Sequence, residues 1–364
     1  MSVPGTSTPF RTITIDGRRL DGPEIMRWAE ELAIRQGHAP WTLSIRDTLN
    51  ELTTDDGSIT VRSSGTTGPP KSFRISADDL IASARLTEWA FGLERGDGAL
   101  LCLPCTFVAG KLMLVRAFVS GLDLHPIDPH GPVLTRLRRA DRFAFTAMVP
   151  RQLLRMLRND RQRVAHTFGT ILLGGGPVGP LLIGAVQDLD TRVFQSYGST
   201  ETVTHAAVRP LNASAGAGQE EEPYSALRDV RFGTDDRGCL VVRTPHLSTR
   251  EHVTNDLVEL MDERRFRWLG RADHVILSGG RKIHPERLEQ RVGGLIARPH
   301  FFTGMPHDEL GQYILLVLEG DPLSASEHDT LLEELSRALE PFEMPMRIEV
   351  RKDLRRTGSG KYIR

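Results

Sequence analysis

The stretch Ser63-Ser64-Gly65-Thr66-Thr67-Gly68-Pro69-Pro70-Lys71 combines four hydroxyl side chains, two glycines and a terminal lysine, directly after the apolar alternation Ile59-Thr60-Val61. Glycines let a backbone curl so that several N–H groups point at one anion, and hydroxyls add donors without bulk. Lysine supplies a compact, mobile positive charge. A polar surface loop is the alternative that composition alone favours, but the terminal Lys71 favours a loop that grips the phosphates of a nucleotide.

This loop is not a Walker A sequence, because Pro70 stands where that motif requires glycine. Proline has no N–H to offer a phosphate, so the Walker nest cannot form. The stretch resembles instead the phosphate loop of the adenylate-forming superfamily, which includes acyl- and aryl-CoA ligases, the adenylation domains of peptide synthetases, and luciferases. The resemblance implies that one set of residues binds ATP and that Thr67 also contacts its Mg²⁺; the set is Ser63, Ser64, Gly65, Thr66, Thr67, Gly68 and Lys71.

Lysine is rare in this chain. Among 46 Lys and Arg residues only five are lysines, namely Lys71, Lys111, Lys282, Lys352 and Lys361. A chain that uses arginine for nearly every positive charge retains a lysine mainly where a flexible primary amine is needed. Lys71 and Lys361 lie in glycine-rich contexts, and both are predicted to act on the nucleotide. Lys352, in a run of charges, is interpreted as a surface residue.

Strand-like and helix-like patterns alternate from about residue 58 to 200, which predicts a largely parallel sheet covered by helices on both faces. The predicted strands are Ile59–Arg62, Ala99–Leu103, Leu122–Ile127, Phe143–Met148, Thr170–Leu173 and Arg192–Phe194, followed by Gly238–Arg243 and Arg265–Leu269. The predicted helices include Ala77–Phe91, which Ser76 would cap, and Pro150–Leu157. The fold class is therefore α/β, with a large N-terminal domain over residues 1–271.

Residues 272–364 predict a small α+β domain, which the resemblance implies is mobile. Its predicted strands are His274–Leu277, Phe301–Thr303, Tyr313–Glu319 and Arg347–Arg351, and its predicted helices are Pro285–Val292 and Ala325–Leu339. Residues 213–223, rich in small residues and then in glutamate, are interpreted as a mobile loop of the first domain.

Composition excludes some classes of partner. A net charge of −1 and a pI near 6.9 give no electrostatic reason to expect nucleic acid or an anionic membrane. No apolar run approaches the roughly 20 residues that span a bilayer, and the N-terminus lacks the layout of a secretory signal.

Three cysteines argue against a disulfide framework and favour the cytoplasm. Cys102 and Cys105 form a C-x-x-C, which is interpreted as a buried strand end rather than a zinc or redox site.

Ser196-Tyr197-Gly198-Ser199-Thr200-Glu201 follows a predicted strand and is the second informative motif. Tyr197 could stack on a purine, Thr200 could bond a phosphate, and Glu201 could hold Mg²⁺, which prefers oxygen ligands. An ordinary strand-to-helix turn capped by Ser199 or Thr200 is the alternative. The motif resembles the superfamily's Y-G-x-T-E, which implies those same roles, with Ser196 and Gly198 also at the nucleotide.

Gly174-Gly175-Gly176-Pro177 closes the preceding predicted strand. Three glycines allow backbone to lie against a flat ring, and the resemblance implies that adenine and the acyl group bind there. A plain loop is the competing interpretation.

Motifs near residue 271 complete the predicted nucleotide site. Thr254-Asn255-Asp256 resembles the family's T-G-D, which implies that Asp256 holds the ribose hydroxyls and that Asn255 imitates glycine through a left-handed backbone. Gly270-Arg271-Ala272-Asp273 resembles the hinge segment, so Arg271 is expected to contact the nucleotide and Asp273 to be the pivot.

The segment Ser278-Gly279-Gly280-Arg281-Lys282-Ile283 resembles the family's stretch that lines the approach of the thiol, which implies that Gly279 and Gly280 face coenzyme A. Arg287 stands where a glutamate is commoner in the family, and Glu286 is expected to take over its role.

The tail Thr357-Gly358-Ser359-Gly360-Lys361 matches the superfamily's final motif, which implies that Lys361 is the catalytic lysine alongside Thr200 and Glu201. A carboxylate must attack the α-phosphorus of ATP although both partners are anionic. An ammonium about 4 Å from the reacting oxygens supplies roughly 4 kcal/mol at an effective dielectric near 20.

The resemblance covers essentially the whole chain, and among short members it is to the 2-succinylbenzoate–CoA ligases of menaquinone biosynthesis. It is carried by residues 109–117, 147–150 and 200–205. Such a substrate has a second carboxylate, which Lys111 or Arg116 could anchor, since each is a charge inside an apolar segment; an amphipathic helix that shows these charges to water is the alternative. Thr202 and His205 are further pocket candidates. Phe107 stands where many ligases have a histidine.

The predicted activity is an ATP- and Mg²⁺-dependent acid–thiol ligase that forms an acyl-adenylate and passes its acyl group to coenzyme A. Two alternatives stay open: another acyl- or aryl-CoA ligase or an adenylating enzyme acting on a carrier protein, and a nucleotide-binding regulator without catalysis. A homodimer also stays open, because a dimer interface leaves no pattern that this sequence reveals.

Overall fold

The computed structural model describes residues 8–54, 56–62, 72–218, 222–356, 362 and 364. The contacts between residues divide the chain into two units. The first consists of Met1–Gly174, Ala185–Arg231 and Arg243–His252, and the second of Gly175–Gly184, Phe232–Val242 and Val253–Arg364. The functional boundary at residues 271/272 stays a prediction.

Strands and helices alternate through the first unit. Its strands are β1 (Thr12–Ile15), β2 (Arg18–Asp21), β3 (Ile59–Arg62), β4 (Ser72–Ile75), β5 (Gly98–Leu101), β6 (Asp123–Pro126), β7 (Phe143–Met148), β8 (Phe168–Leu173), β9 (Arg192–Ser199), β10 (Thr204–Pro210) and β11 (Tyr224–Ala226). The helices, of which the last extends into the second unit, are α1 (Pro23–Arg35), α2 (Pro40–Thr53), α3 (Ala77–Phe91), α4 (Val108–Ser120), α5 (Pro150–Thr167) and α6 (Pro180–Val186).

A mainly parallel sheet forms the centre of the first unit, as predicted. Parallel pairs join β9, β8, β7, β5, β6 and β1 in that order. Antiparallel strands flank them, with β10 and β11 on one side and β2 on the other. Ile59–Arg62 is a strand with the predicted bounds, but it pairs antiparallel with β4 in a separate hairpin instead of joining this sheet. The predicted phosphate loop lies between β3 and β4 in the chain.

Helix α3 illustrates how local sequence sets the helix bounds. It spans the predicted residues, and the Ser76 hydroxyl accepts a hydrogen bond from the Asp79 N–H, which satisfies one of the free donors of the first turn. Gly92 ends the helix in a left-handed conformation with φ of 64°, which costs glycine little. Helix α5 continues to Thr167, beyond its predicted end at Leu157, but it is interrupted at Asp160, whose φ of −159° and ψ of 86° are not helical.

The remaining elements lie mainly in the second unit. They are β12 (Arg231–Thr234), β13 (Cys239–Arg243), β14 (Glu251–Asp262), β15 (Arg265–Arg271), β16 (Ile276–Ser278), β17 (Arg281–Ile283), α7 (Pro285–Val292), β18 (His300–His307), β19 (Gly311–Glu319), α8 (Ala325–Ala338) and β20 (Arg347–Arg351). Strands β17, β16, β19 and β18 are neighbours in an antiparallel sheet, and β20 pairs parallel with β19. A core of residues including Phe302, Leu316 and Leu335 lies between this sheet and its helices.

The predicted strand His274–Leu277 is displaced. Residues Ala272–His274 form a 3₁₀ turn and the strand is Ile276–Ser278. The side chains of Asp273 and His274 bond to Arg271 and Glu286, and such local bonds favour a turn over an extended strand.

Among the residues that the structure describes, no helix is long and apolar enough to cross a membrane. Cys102, Cys105 and Cys239 are free and buried. Burial raises the pKa of the Cys102 thiol to about 11 and that of Cys105 to about 12, so both thiols stay protonated near neutral pH. The interpretation of the C-x-x-C as a buried strand end is confirmed.

Candidate active site

The Ser196–Glu201 motif lies on β9 and on the turn that joins β9 to β10. These strands pair antiparallel, with Ser199 opposite Thr204 and Gly198 opposite His205. The alternative of a strand-to-helix turn is therefore wrong. Ser199 N–H donates to the Thr202 hydroxyl at 2.9 Å, and Thr202 N–H donates to the Ser199 hydroxyl at 3.4 Å. The turn leaves Glu201 exposed while it buries Thr202, so an exposed carboxylate of the kind Mg²⁺ prefers stands at its tip.

Val203, the last residue of this turn, has a left-handed backbone with φ of 48°. A β-branched residue rarely adopts that conformation, and such strain costs about 1–3 kcal/mol. Two hydrogen bonds hold it: Val203 N–H donates to the Thr200 carbonyl at 3.2 Å, and the Ser83 hydroxyl of α3 donates to the Val203 carbonyl at 2.7 Å. Helix α3 thereby fixes the turn that carries Thr200 and Glu201.

Tyr197 is half-buried, and its ring lies 5.7 Å from that of Tyr224 at an interplanar angle of 61°. The Arg209 guanidinium lies 5.1 Å from the Tyr224 ring. These contacts fix the orientation of Tyr197 while part of its ring faces solvent. The ring can therefore offer a surface for a base, as the motif predicts.

The predicted adenine loop begins beside the Tyr197 motif. Gly174 N–H donates to the Met148 carbonyl at 3.1 Å, and a Cβ added to Gly174 would lie 2.9 Å from the Ser196 hydroxyl oxygen. That hydroxyl donates to the Leu173 carbonyl at 2.9 Å. The structure thus brings Gly174 and Ser196 together at the carboxyl ends of two parallel strands, where open α/β sheets bind their ligands. Gly175, Gly176 and Pro177 continue from there in the second unit.

A second set of predicted residues meets within the second unit. Asp256 and Arg271 are opposite each other in the β14–β15 ladder, with 3.7 Å between Arg271 Nη1 and Asp256 Oδ1. Arg271 also holds Asp273 with bonds of 2.9 and 3.0 Å. Burial would raise the pKa of Asp273, but the bonds and charge of Arg271 keep it below its usual value. The residues predicted to bind the ribose (Asp256), to contact the nucleotide (Arg271) and to act as the pivot (Asp273) therefore form one charged group.

Asn255 does not imitate glycine as expected. It lies inside β14 in an ordinary strand, where its side-chain oxygen accepts a bond of 3.1 Å from Arg237. Gly279 and Gly280 connect β16 to β17 with φ values of +54° and +77°. Two consecutive left-handed residues are what a tight hairpin turn of this kind requires, so both glycines have a structural role beside the predicted one.

Lys111 and Arg116 both lie on α4, and both are buried. The alternative in which the helix shows these charges to water is therefore wrong. Lys111 Nζ contacts a carboxylate oxygen of Glu51 at 2.5 Å and the Thr60 carbonyl at 3.0 Å. The charge of Lys111 is thus balanced within the fold.

Arg116 belongs to a different cluster. Its Nε donates to the Thr87 hydroxyl at 3.1 Å, and that oxygen lies 3.2 Å from His205 Nε2. Burial lowers the pKa of Arg116 to about 10. Burial, and then the charge of Arg116, lower the pKa of His205 well below its usual value, so His205 is neutral near pH 7. A cation, a hydroxyl and a neutral imidazole therefore lie together beside the strand that follows Glu201.

Two groups of predicted residues fall outside the described part of the chain. They are the phosphate-binding set Ser63, Ser64, Gly65, Thr66, Thr67, Gly68 and Lys71, and the catalytic candidate Lys361. Their roles stay predictions.

Ser83, Thr87 and Glu51 are contributors that sequence reasoning missed. Each lies in an ordinary helix without glycine or a motif, and each acts through a partner more than 25 residues away. Only the buried cations of α4 could have suggested that such partners exist, because a buried charge needs polar neighbours.

Comparison with known proteins places this arrangement in a class. Residues 11–247 match the AMP-binding enzyme family, and the chain belongs to that family. The match covers the parallel sheet, the motif turn and the α4 cluster. The predicted family membership is confirmed.

Two relatives show which members of the family this chain is similar to. The chain is 28% identical over 336 residues to the probable 2-succinylbenzoate–CoA ligase of Mycobacterium tuberculosis, covering 85% of this chain and 83% of the relative. It is 24% identical over 323 residues to the 2-succinylbenzoate–CoA ligase of Listeria monocytogenes, with coverage of 83% and 67%.

Solved structures agree on the fold. An acyl-CoA synthetase (AMP-forming)/AMP-acid ligase II-like protein from Dyadobacter fermentans is 33% identical, with a TM-score of 0.58 and coverage of 89% and 92%. The o-succinylbenzoate CoA synthetase of Bacillus subtilis in complex with its acyl-adenylate intermediate is 18% identical, with a TM-score of 0.76 and coverage of 98% and 95%. The predicted acyl-CoA synthetase-like fold is confirmed.

Proposed function

We propose that this chain is an AMP-forming acid–thiol ligase and that its acid is 2-succinylbenzoate, which it converts with ATP and coenzyme A into 2-succinylbenzoyl-CoA, AMP and diphosphate. The observation that carries the proposal is the β9–β10 turn, which exposes Glu201 at the end of the strand that carries Tyr197 and Ser196, with Ser196 next to Gly174. The relatives named as 2-succinylbenzoate–CoA ligases support the choice of acid. The free buried cysteines are compatible with a cytoplasmic enzyme.

The first half-reaction joins two anions. A substrate carboxylate oxygen attacks the α-phosphorus of ATP, the new O–P bond forms, and the bond to diphosphate breaks. In this proposal residues 63–68 and Lys71 bind the phosphates, Thr200 orients the α-phosphate, and Lys361 balances the charge that develops. Mg²⁺, when bound, would neutralise phosphate charge, and Glu201 and Thr67 are the residues that would hold it.

The second half-reaction transfers the acyl group. Residues 272–364 turn about Asp273, so that Lys361 leaves and the turn at Gly279 and Gly280 lines the approach of the thiol. The sulfur of coenzyme A attacks the acyl carbon, the thiol proton is released, and AMP departs. Asp256 and Arg271 keep the ribose end of the nucleotide in place during both steps.

Arg116 is the stronger candidate for the anchor of the second carboxylate. Lys111 already contacts the Glu51 carboxylate, which makes it the weaker candidate. Arg116 is buried, and its partners include the Thr87 hydroxyl, the Met113 sulfur at 3.4 Å and the Phe145 ring at 6.0 Å. A guanidinium can bind a carboxylate through two parallel hydrogen bonds, which fix the orientation of the acid as well as its distance. Thr202 and His205 would then form the wall of the acid pocket.

The test is direct identification of the product. The protein is incubated with ATP, Mg²⁺, coenzyme A and single acids (2-succinylbenzoate, benzoate, malonate and a medium-chain fatty acid), and thioesters are identified by mass spectrometry. We expect 2-succinylbenzoyl-CoA, and none of it with Glu201→Gln. A thioester of another acid only would reject the substrate. Adenylate without any thioester would favour a carrier protein as acceptor, and binding of ATP without diphosphate release would favour a regulator. Gel filtration of the same sample reports whether it is a homodimer.

A further inference from the structure

Arg364 is held in a largely buried ionic cluster. Arg364 contacts both carboxylate oxygens of Glu289 on α7, with distances of 2.7 and 2.9 Å, and lies 3.6 Å from Glu286. It also donates to the Phe302 carbonyl, and its guanidinium lies 5.7 Å from the Phe301 ring. The side chains of Arg364 and Glu286 are only 14% and 10% exposed. Two-point contacts of this kind fix orientation as well as distance.

A second contact fixes the chain just before that cluster. Tyr362 pairs antiparallel with Arg356, whose guanidinium lies 4.6 Å from the Tyr362 ring. Arg356 is paired with Glu319 on β19 at 3.1 Å, and the Tyr362 ring lies 5.8 Å from Phe301. Residues 356 and 362, on either side of residues 357–361, are thus bound to each other and to the sheet.

Glu286 connects this anchor to the segment predicted to be the hinge. Its Oε1, which faces Arg364, lies 2.5 Å from His274 Nδ1, and His274 directly follows Asp273. Its Oε2 is buried without a hydrogen-bond partner among the described residues and would lie 2.6 Å from a Cβ at Gly270. Burial would raise the pKa of Glu286, but the bond from His274 and the charge of Arg364 keep it below its usual value. One carboxylate therefore bridges residue 274 and residue 364.

We propose that Arg364 is a positioning residue for Lys361: with Glu286 and Glu289 it fixes the end of the chain relative to the hinge segment, so that the lysine three positions earlier reaches the reacting oxygens. This inference rests on the proposed function, because it matters only if Lys361 acts in adenylate formation.

The two half-reactions should respond differently when Arg364 is removed. Only the first one requires Lys361, so loss of the anchor slows adenylate formation and leaves transfer to the thiol intact. A residue that merely stabilised the fold would lower both steps together. The ratio of the two rates is therefore the informative quantity.

The experiment compares Arg364→Ala with the parent and with Arg337→Ala, which removes an exposed arginine of α8 that pairs with Glu333. Adenylate formation is measured as single-turnover diphosphate release, and thioester formation is measured from synthetic 2-succinylbenzoyl-adenylate and coenzyme A. We expect Arg364→Ala to slow the first step by about 100-fold, the scale of a 1 Å misplacement, while the second step and Arg337→Ala keep parent rates. Arg364→Lys, which keeps the charge but not the two-point contact, should fall in between.

Equal loss of both steps in Arg364→Ala, or an unchanged first step, overturns the proposal. If Arg364→Ala unfolds on heating below the assay temperature, Glu289→Gln, which removes one charge at constant size, takes its place with the same expected ratio. If the parent releases diphosphate and the variants show no such ratio, the anchor fails and the proposed function stands. If the parent releases none with any acid tested, the proposed function itself fails, and the anchor with it.

Discussion

Helix α4 buries two cations five residues apart, and they differ in what surrounds them. Lys111 forms an ion pair with Glu51 and donates a hydrogen bond to the Thr60 carbonyl. Arg116 instead donates to the Thr87 hydroxyl, which also lies 3.2 Å from His205 Nε2. Removal of one partner of an ion pair completed within the fold is destabilising, because the other charge is left without its partner. In the proposed function, Arg116 binds the second carboxylate of the acid. We therefore expect substitution of Lys111 to act mainly on stability and substitution of Arg116 to act mainly on binding of the acid.

Arg116 carries the largest expected effect. Arg116→Glu should raise the KM for 2-succinylbenzoate far more than the KM for ATP, because it places like charges together. With the milder Arg116→Gln, the KM for the acid should rise about 30-fold or more, equivalent to the roughly 2 kcal/mol or more lost when one partner of a buried charge pair is removed. Equal effects on the acid and on ATP would reject the anchor.

Lys111→Gln should do the opposite, because it leaves the Glu51 carboxylate without its cation. We expect the free energy of unfolding to fall by about 2 kcal/mol, less than when a fully buried pair is broken, because the Glu51 side chain is 33% exposed. The KM for the acid should be unchanged in the folded fraction. Denaturant titration and initial-rate kinetics on the same preparation measure both. A raised KM with unchanged stability would exchange the roles of the two cations.

His205 offers a pH test of the Arg116 cluster. Burial and the charge of Arg116 lower the pKa of His205 in the folded chain. As the pH falls below about 6.5, His205 therefore binds a proton in the unfolded chain but stays neutral in the folded chain. The stabilising contribution of neutral His205 is full above that pH and decreases below it, by up to about 1.4 kcal/mol per pH unit. Other histidines contribute as well, so the informative measurement is the difference between the parent and His205→Gln between pH 7.5 and 5.5. Parallel curves would contradict the assigned state of His205.

Ser83→Ala should have the smallest effect, and it tests whether helix α3 supports the turn that carries Thr200 and Glu201. Ser83→Ala removes the bond to the Val203 carbonyl and should cost about 1 kcal/mol of stability, together with a lower kcat because Thr200 and Glu201 lose their support. Val203→Gly, which relieves the left-handed backbone, should restore part of the kcat in the Ser83→Ala background. If the double variant is no better than Ser83→Ala, strain at Val203 does not position the turn.

The sequence predicted most of what depends on local pattern. The bounds of α3 and α7 and the mainly parallel pairing of β5 to β9 follow from periodicity, capping and the alternation of strands with helices. The motifs at Gly174 and Ser196 meet because adjacent parallel strands end at one edge. The errors arise where distant side chains decide. The pairing of β3 with β4, the 3₁₀ turn at Asp273 and the burial of Lys111 depend on partners that lie far away or on bonds that periodicity does not reveal.

The central claim is that an amine near the end of the chain promotes attack of a carboxylate on ATP. The most direct measurement is diphosphate release from ATP with 2-succinylbenzoate in the absence of coenzyme A, in the parent and in Lys361→Ala. We expect a burst of one equivalent of acyl-adenylate in the parent and a rate at least about 100-fold lower in the variant. An equal rate in both would contradict it.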